Sequence, residues 1–326
     1  MSELIRAENL TKWFPVRKGF LSSLFGEKEE YVHAVDGISF VVAEGEVFGL
    51  VGESGCGKTT TGRLLLRLIE PSSGKILFEG KNLLELDKRA MKDLRRGMQI
   101  VFQDPYESLN PRKMLFDIVA EPIELNKAAS DEDEKEKMVL EALEDVHLTP
   151  LPEIMYRFPH ELSGGQRQRV GVARAIVLHP KFIVADEPVS MLDVSIRTET
   201  LNLMLELREK LGLTYVFITH DLAVSKYICD RIAVMYLGKI VEMGPAESLI
   251  DEPIHPYTKA LIAAVPVPDP ETKVGDIPIK GEVTSPVDLP SGCRFQKRCV
   301  HATEGCREEE PELRKIDDRY VSCFLS

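Results

Sequence analysis

A chain of 326 residues, 44% hydrophobic and 29% charged, is long enough for two domains or for one large domain with an appendage. No apolar run approaches the roughly 18–20 residues that cross a bilayer, and the opening "MSELIRAENL" lacks the basic and apolar regions of a signal peptide, so a cytosolic home is expected. The formal net charge of −12 argues against nucleic acid as principal partner, because phosphate backbones call for clustered Lys and Arg.

In chain order, "VRKGFLSSLFGEKEE" (16–30) reads as a surface loop or β-hairpin excursion. "EVFGLVG" (46–52) is a compact strand, followed by a Gly-rich turn and the amphipathic run "KTTTGRLLLRLIE". Further strands are expected at "GKILFEG", "MQIVFQD", "KFIVADE", "LTYVFIT" and "RIAVMYLGKIVEMG", the last a hairpin turning at Leu237-Gly238. Strands alternating with helical patterns predict an α/β sheet. Residues 88–180 are mainly helical in pattern; "DEDEKEKMVLEALEDV" places Met138, Leu140, Leu143 and Val146 at helical spacing beneath a charged face. After Pro245 the chain turns proline-rich, and a separate, small, irregular C-terminal extension is expected over 251–326, with 1–250 as the main domain.

Two stretches point to phosphate. "GESGCGKTT" fits G-x-x-x-x-G-K-[ST] and sits after a strand and before a helix. Its backbone, through Gly52, Glu53, Ser54, Gly55, Cys56 and Gly57, can turn successive N–H groups onto one anion, and the helix start at Thr60 adds its partial positive charge. Lys58 would reach the β- and γ-phosphates of ATP and the Thr59 hydroxyl would coordinate Mg²⁺. "FIVADE" ends a strand in two carboxylates: Asp186 suits a Mg²⁺ ligand held through water, and Glu187 is placed to polarise an attacking water as general base. In "ELSGGQRQRVGVARAI", Ser163 is a helix N-cap, and Gly164 and Gly165, ahead of Gln166, leave amides open at a second anion site. One ATP does not need two such sites from one subunit, so a head-to-tail pair of subunits is implied.

The tail carries Cys293, Cys299, Cys306 and Cys323 in a C-x5-C-x6-C-x16-C pattern. It lacks the close C-x-x-C pairs of common zinc and ferredoxin sites, and on chemistry alone a metal site and reduced, buried thiols both stand. Cys56 and Cys229 lie outside the group.

"LSGGQ", with "GESGCGKTT", "VFQDP" and "THD", resembles the ATP-binding cassette of ABC transporters, over about residues 4–249 and in that family's motif order. The resemblance implies an ABC-type P-loop nucleotide-binding domain: a RecA-like core, an antiparallel β part and an inserted helical subdomain over about 88–180. It makes Gln103 the Q-loop glutamine that touches Mg²⁺ and water, "SMLD" the D-loop with Asp193, and His220 the switch histidine at the γ-phosphate. Met191 departs from the alanine common in that loop. "NLTKWFPV" is similar to the stretch bearing the adenine-stacking aromatic, with Phe14 the best match and Trp13 beside it.

Longer strings, "VFQDPYESLNPR" and "RFPHELSGGQRQRVGVARAI" among them, closely resemble ATPases of oligopeptide and dipeptide importers, within which the chain looks like the F-type of two paired subunits. "HPYTKALIAAVP" (255–266) matches that group's His-Pro-Tyr tail. The resemblance implies an ATPase at the cytoplasmic face of the membrane, partnered by a D-type ATPase, two permease subunits and, indirectly, an extracytoplasmic solute-binding protein. Related systems move oligosaccharides, nickel or glutathione, and a soluble ABC ATPase outside transport is the rival class. Relatives with this tail are associated with a [4Fe–4S] cluster on four such cysteines, which the resemblance extends to the four named above.

Overall fold

The computed structural model describes residues 2–16, 29–265, 279–281, 285–287 and 289–325. The chain divides into two compact units. The first comprises Val42–Val47 and Glu85–Ile218, with the first two residues; the second comprises Glu3–Val41, Phe48–Leu84 and Thr219–Ser326. The division does not follow the expected 250/251 boundary: the C-terminal extension belongs to the same unit as the P-loop.

The second unit opens with β1 (Glu3–Pro15), most of β2 (Tyr31–Ala43), β3 (Val47–Val51), β4 (Ser73–Phe78) and β5 (Lys81–Asn82). β1, β2, β4 and β5 form an antiparallel-type sheet in the order β2-β1-β4-β5. The excursion expected over 16–30 falls largely outside the described residues; at its ends the Val16 N–H donates to the Glu30 carbonyl at 2.9 Å.

The first unit contributes β6 (Met98–Val101), β7 (Phe182–Asp186) and β8 (Thr214–Thr219), paired in parallel in that order. Every residue of β7 and of β8 is buried, which is why both read as continuous apolar runs rather than alternating ones. Helices fill the rest of this unit, including Leu115–Asn126, Glu132–Asp145, Gly164–Ile176 and Val194–Leu211. Asp131 caps Glu132–Asp145 by accepting from the Glu134 N–H at 2.8 Å. That helix buries Val139, Ala142 and Leu143, with Val146 just beyond it, while Met138 and Leu140 are half-buried. The buried face is therefore rotated slightly from the expected one, centring on Val139 and Leu143.

The second unit resumes with β9 (Arg231–Tyr236), β10 (Lys239–Pro245), β11 (Arg314–Ile316) and β12 (Arg319–Val321). Its strand order is β11-β12-β10-β9-β3, with β3 and β9 parallel and the rest antiparallel. The β9–β10 hairpin turns at Leu237 (φ 43°) and Gly238 (φ 81°), the two left-handed residues that an expected two-residue turn requires. The extension is more regular than expected. It adds the β11–β12 hairpin beside β10, with Glu242 opposite Val321, and carries a helix at Pro256–Ala263. Tyr257 and Phe295, both fully buried, pack on Tyr236 at ring separations of 4.7 and 5.3 Å. No helix among the described residues is long and apolar enough to cross a membrane.

Candidate functional site

The P-loop lies between the wholly buried β3 and the helix Lys58–Leu65. Its approach to neighbouring backbone explains two glycines. A Cβ at Gly57 (φ 110°) would stand 2.1 Å from the Ala34 carbonyl oxygen, and one at Gly52 would stand 2.3 Å from that of Met235. Ser54 and Gly55 are exposed at the rim, and Thr59 and Thr60 are half-buried at the helix start. Lys58 is only 5% exposed; its Nζ donates to the carbonyls of Gly52 (2.7 Å) and Glu53 (3.0 Å), so the ammonium is already curled over the loop. Cys56 is buried, its Sγ 3.8 Å from Lys58 Nζ, and burial pushes its thiol pKa up, which keeps it protonated and unreactive.

Glu53 is tied from outside the loop. Its backbone N–H donates to the Tyr257 hydroxyl at 3.0 Å. Its carboxylate receives both terminal nitrogens of Arg298, at 2.7 and 3.0 Å. Neither partner was anticipated from the sequence; the basic residues flanking the cysteines in "CRFQKRC" were the available signal. Arg294, the other buried arginine there, pairs with Asp36 and with Glu310 (3.3 Å). Asp36 also accepts from Trp13 Nε1 at 3.1 Å, and the Trp13 ring packs 4.3 Å from His33. The adjacent Phe14 is half-exposed with the Lys12 ammonium 5.0 Å from its ring centre. His220 follows β8 and is exposed.

In the first unit, β7 delivers Asp186, 6% exposed, and then Glu187 in a left-handed conformation (φ 46°). The Glu187 N–H donates to the Ile218 carbonyl at 2.9 Å, which pins the carboxylate's backbone at the strand end. Gln103 Nε2 donates to Glu187 Oε2 at 3.3 Å, so the two residues expected to handle the attacking water meet. The Ser190 N–H and hydroxyl both donate to the Glu187 carbonyl (3.2 and 3.0 Å), which starts the turn through Met191 to Asp193. Asp193 is exposed at the head of Val194–Leu211, where its side chain makes no capping bond.

Ser163 caps Gly164–Ile176 through a closed capping box: its hydroxyl accepts from the Gln166 N–H at 3.3 Å, and Gln166 Oε1 accepts from the Ser163 N–H at 3.0 Å. A Cβ at Gly165 would lie 2.5 Å from Ile196 Cγ2, so only glycine lets the two helices approach. The expected site residues are thus grouped by unit: Gln103, Ser163–Gln166, Asp186, Glu187 and Asp193 in one, the P-loop, Phe14, His220 and the cysteines in the other. Thr59, Gln103 and Asp186 are hard oxygen donors of the kind Mg²⁺ takes.

In the tail, Cys293, Cys299, Cys306 and Cys323 line one small cavity with His255, Phe295, Phe324 and Leu325. Burial pushes the Cys293 thiol up to about 11 and raises Cys299 and Cys323 as well. His255 accepts from the Tyr257 N–H at 3.0 Å and is held neutral, burial taking its pKa down to about 4. Among the described residues no three His, Cys, Asp or Glu side chains lie close enough to hold one metal ion.

Residues 35–190 match the ABC transporter family, and residues 241–306 match the oligopeptide/dipeptide transporter C-terminal region. The chain is 48% identical to the probable peptide ABC transporter ATP-binding protein y4tS of Sinorhizobium fredii, over 99% of this chain and 90% of that one. It is 46% identical to the dipeptide transport ATP-binding protein DppF of Haemophilus influenzae, over 98% of this chain and 96% of that one. Among solved structures, the ATP-binding cassette MJ0796, dimeric and bound to ADP and Pi, superposes with a TM-score of 0.64 at 28% identity, covering 74% of this chain and 99% of that one. These matches show that the chain belongs to the ABC transporter family of ATP-binding proteins, in the group that carries the oligopeptide/dipeptide transporter C-terminal region.

Proposed function

We propose that the chain is the F-type ATPase subunit of a peptide importer, peripheral at the cytoplasmic face of the membrane, working with a D-type ATPase, two permeases and an extracytoplasmic binding protein. It hydrolyses ATP. The peptide class is supported by relatives named for peptide and dipeptide transport and by the matched C-terminal region. Residues 1–250 act as the cassette and 251–326 as the extension. Pairing is supported by the exposure of Met191 (64%) and Val194 (76%) on the turn expected to face a second cassette. Each nucleotide would lie between the P-loop of one subunit and the Ser163–Gln166 turn of the other, so ATP draws the pair together and hydrolysis releases it.

One observation carries the chemistry: Glu187, held at a left-handed strand end and hydrogen-bonded by Gln103. Its carboxylate takes the proton of the attacking water, Lys58 and the loop amides hold the β- and γ-phosphates, and His220 contacts the γ-phosphate. Phe14 stacks on adenine; Trp13 is already engaged by Asp36 and His33. Thr59, Asp186 and Gln103 would hold Mg²⁺, which would supply charge neutralisation to the phosphates. Glu187→Gln should keep ATP affinity within about twofold while hydrolysis in the assembled transporter falls by roughly 10²-fold or more. Wild-type turnover in that variant would sink the assignment. Peptide-stimulated hydrolysis in proteoliposomes carrying all subunits tests the substrate; stimulation by an oligosaccharide, nickel or glutathione alone would replace it.

The tail reading extends to a [4Fe–4S] cluster on Cys293, Cys299, Cys306 and Cys323. It is supported by the four thiols lining one apolar cavity. The raised thiol pKa values mean that loading must displace protons. Bound there, the cluster would cross-link the extension. Iron and sulfide analysis of an anaerobic preparation tests this, and four alkylatable thiols without iron would refute it.

A further inference from the structure

Glu53 presents a problem for a phosphate site: it places a carboxylate inside the loop that must attract the most highly charged part of ATP. The structure answers it from far along the chain. Arg298, 4% exposed, forks onto both carboxylate oxygens at 2.7 and 3.0 Å. Tyr257 meanwhile fixes the same residue's N–H at 3.0 Å. The remaining backbone group of Glu53, its carbonyl, is the one Lys58 leans on at 3.0 Å. Glu53 is therefore held at three points, two of them by the extension.

The turn that presents Arg298 is itself anchored. The N–H groups of Arg298 and Cys299 both donate to the Phe295 carbonyl at 2.9 Å, and the fully buried Phe295 ring packs on Tyr257 at 5.4 Å. Burying a guanidinium is costly unless it is paired, and removing one member of a buried pair leaves the other charge uncompensated. Here the uncompensated charge would be negative and inside the loop.

We propose that Arg298 is a positioning residue of the nucleotide site: by neutralising Glu53 and holding both of its carboxylate oxygens, it keeps the P-loop receptive to the phosphates of ATP. The inference rests on the P-loop being an ATP site and assigns the extension a share in nucleotide affinity. Without Arg298, the Glu53 carboxylate competes with the phosphates for Lys58 and repels them.

The test is a titration of the purified full-length chain with the fluorescent analogue mant-ATP and Mg²⁺, with thermal melts to confirm folding. Arg298→Ala should weaken binding about tenfold, in line with loss of a charge-assisted bidentate contact. Glu53→Gln in the Arg298→Ala background should restore affinity to within about threefold of wild type, because the offending charge is gone. A purely structural role for Arg298 predicts no such rescue. Should Arg298→Ala not fold, Arg298→Gln, which retains a polar side chain without the charge, carries the same two expectations. Wild-type affinity in the folded arginine variant, or absence of rescue in the double variant, overturns the proposal. A wild-type chain that does not bind mant-ATP would instead overturn the reading of the P-loop itself, and this inference with it.

Discussion

The two turns proposed to bind phosphate are built on opposite plans. The P-loop is pressed against carbonyls of neighbouring backbone at Gly52 and Gly57, its lysine is buried, and Glu53 is tied down by residues more than two hundred positions away. The Ser163–Gln166 turn is self-contained: its cap closes on itself, Ser163 is exposed, and its tightest neighbour is Ile196. The first turn is finished within one chain. The second is closed only by its own cap, and in the proposed pairing it would meet a nucleotide held by a partner.

Substitutions can break this contrast. Gly57→Ala should have the largest effect, since it combines a positive φ with a Cβ 2.1 Å from a backbone oxygen that cannot move aside. A loss of at least about 4 kcal/mol in urea melts, together with loss of mant-ATP binding, is expected. Gly165→Ala meets only a side-chain methyl at 2.5 Å and should cost about 2 kcal/mol, with ATP binding by the isolated chain intact. Adding Ile196→Ala should recover part of that loss, and a failure to recover would place the strain elsewhere. Ser163→Ala should cost about 1 kcal/mol as a lost cap while sharply reducing hydrolysis only in the assembled transporter.

The smallest effect concerns Asp36. Burial raises its pKa, but the Arg294 guanidinium, with help from Lys239 and His33, outweighs that and holds it below the ordinary 3.8. A carboxylate depressed in the folded state stabilises above its unfolded pKa and stops doing so as pH falls through the folded value. The stability advantage of wild type over Asp36→Asn should thus be full at neutral pH and shrink below about pH 3.8.

Much of this was legible in the sequence because it is local. A strand, a Gly-rich turn and a helix appear consecutively in "EVFGLVGESGCGKTT", and the Leu237-Gly238 turn announces its hairpin by residue type. The role of Gln103 came from family resemblance and that of Glu187 from its strand end; their contact, across 84 positions, has no local signal. The grip of the extension on Glu53 was not legible. It joins residues 204 and 245 positions apart, through a tyrosine and an arginine with no periodic pattern to mark them. β11 and β12, three residues each, are too short for any alternation to register.

Those two short strands have a further effect. Without the hairpin, β10 would end the sheet with a row of unpaired amides and carbonyls open to any passing strand. The hairpin covers that row and moves the exposed rim out to β11, where it is three residues long and carries Arg314 and Lys315 in solvent. A short, cationic rim discourages edge-to-edge pairing between copies, so removing the hairpin should promote aggregation.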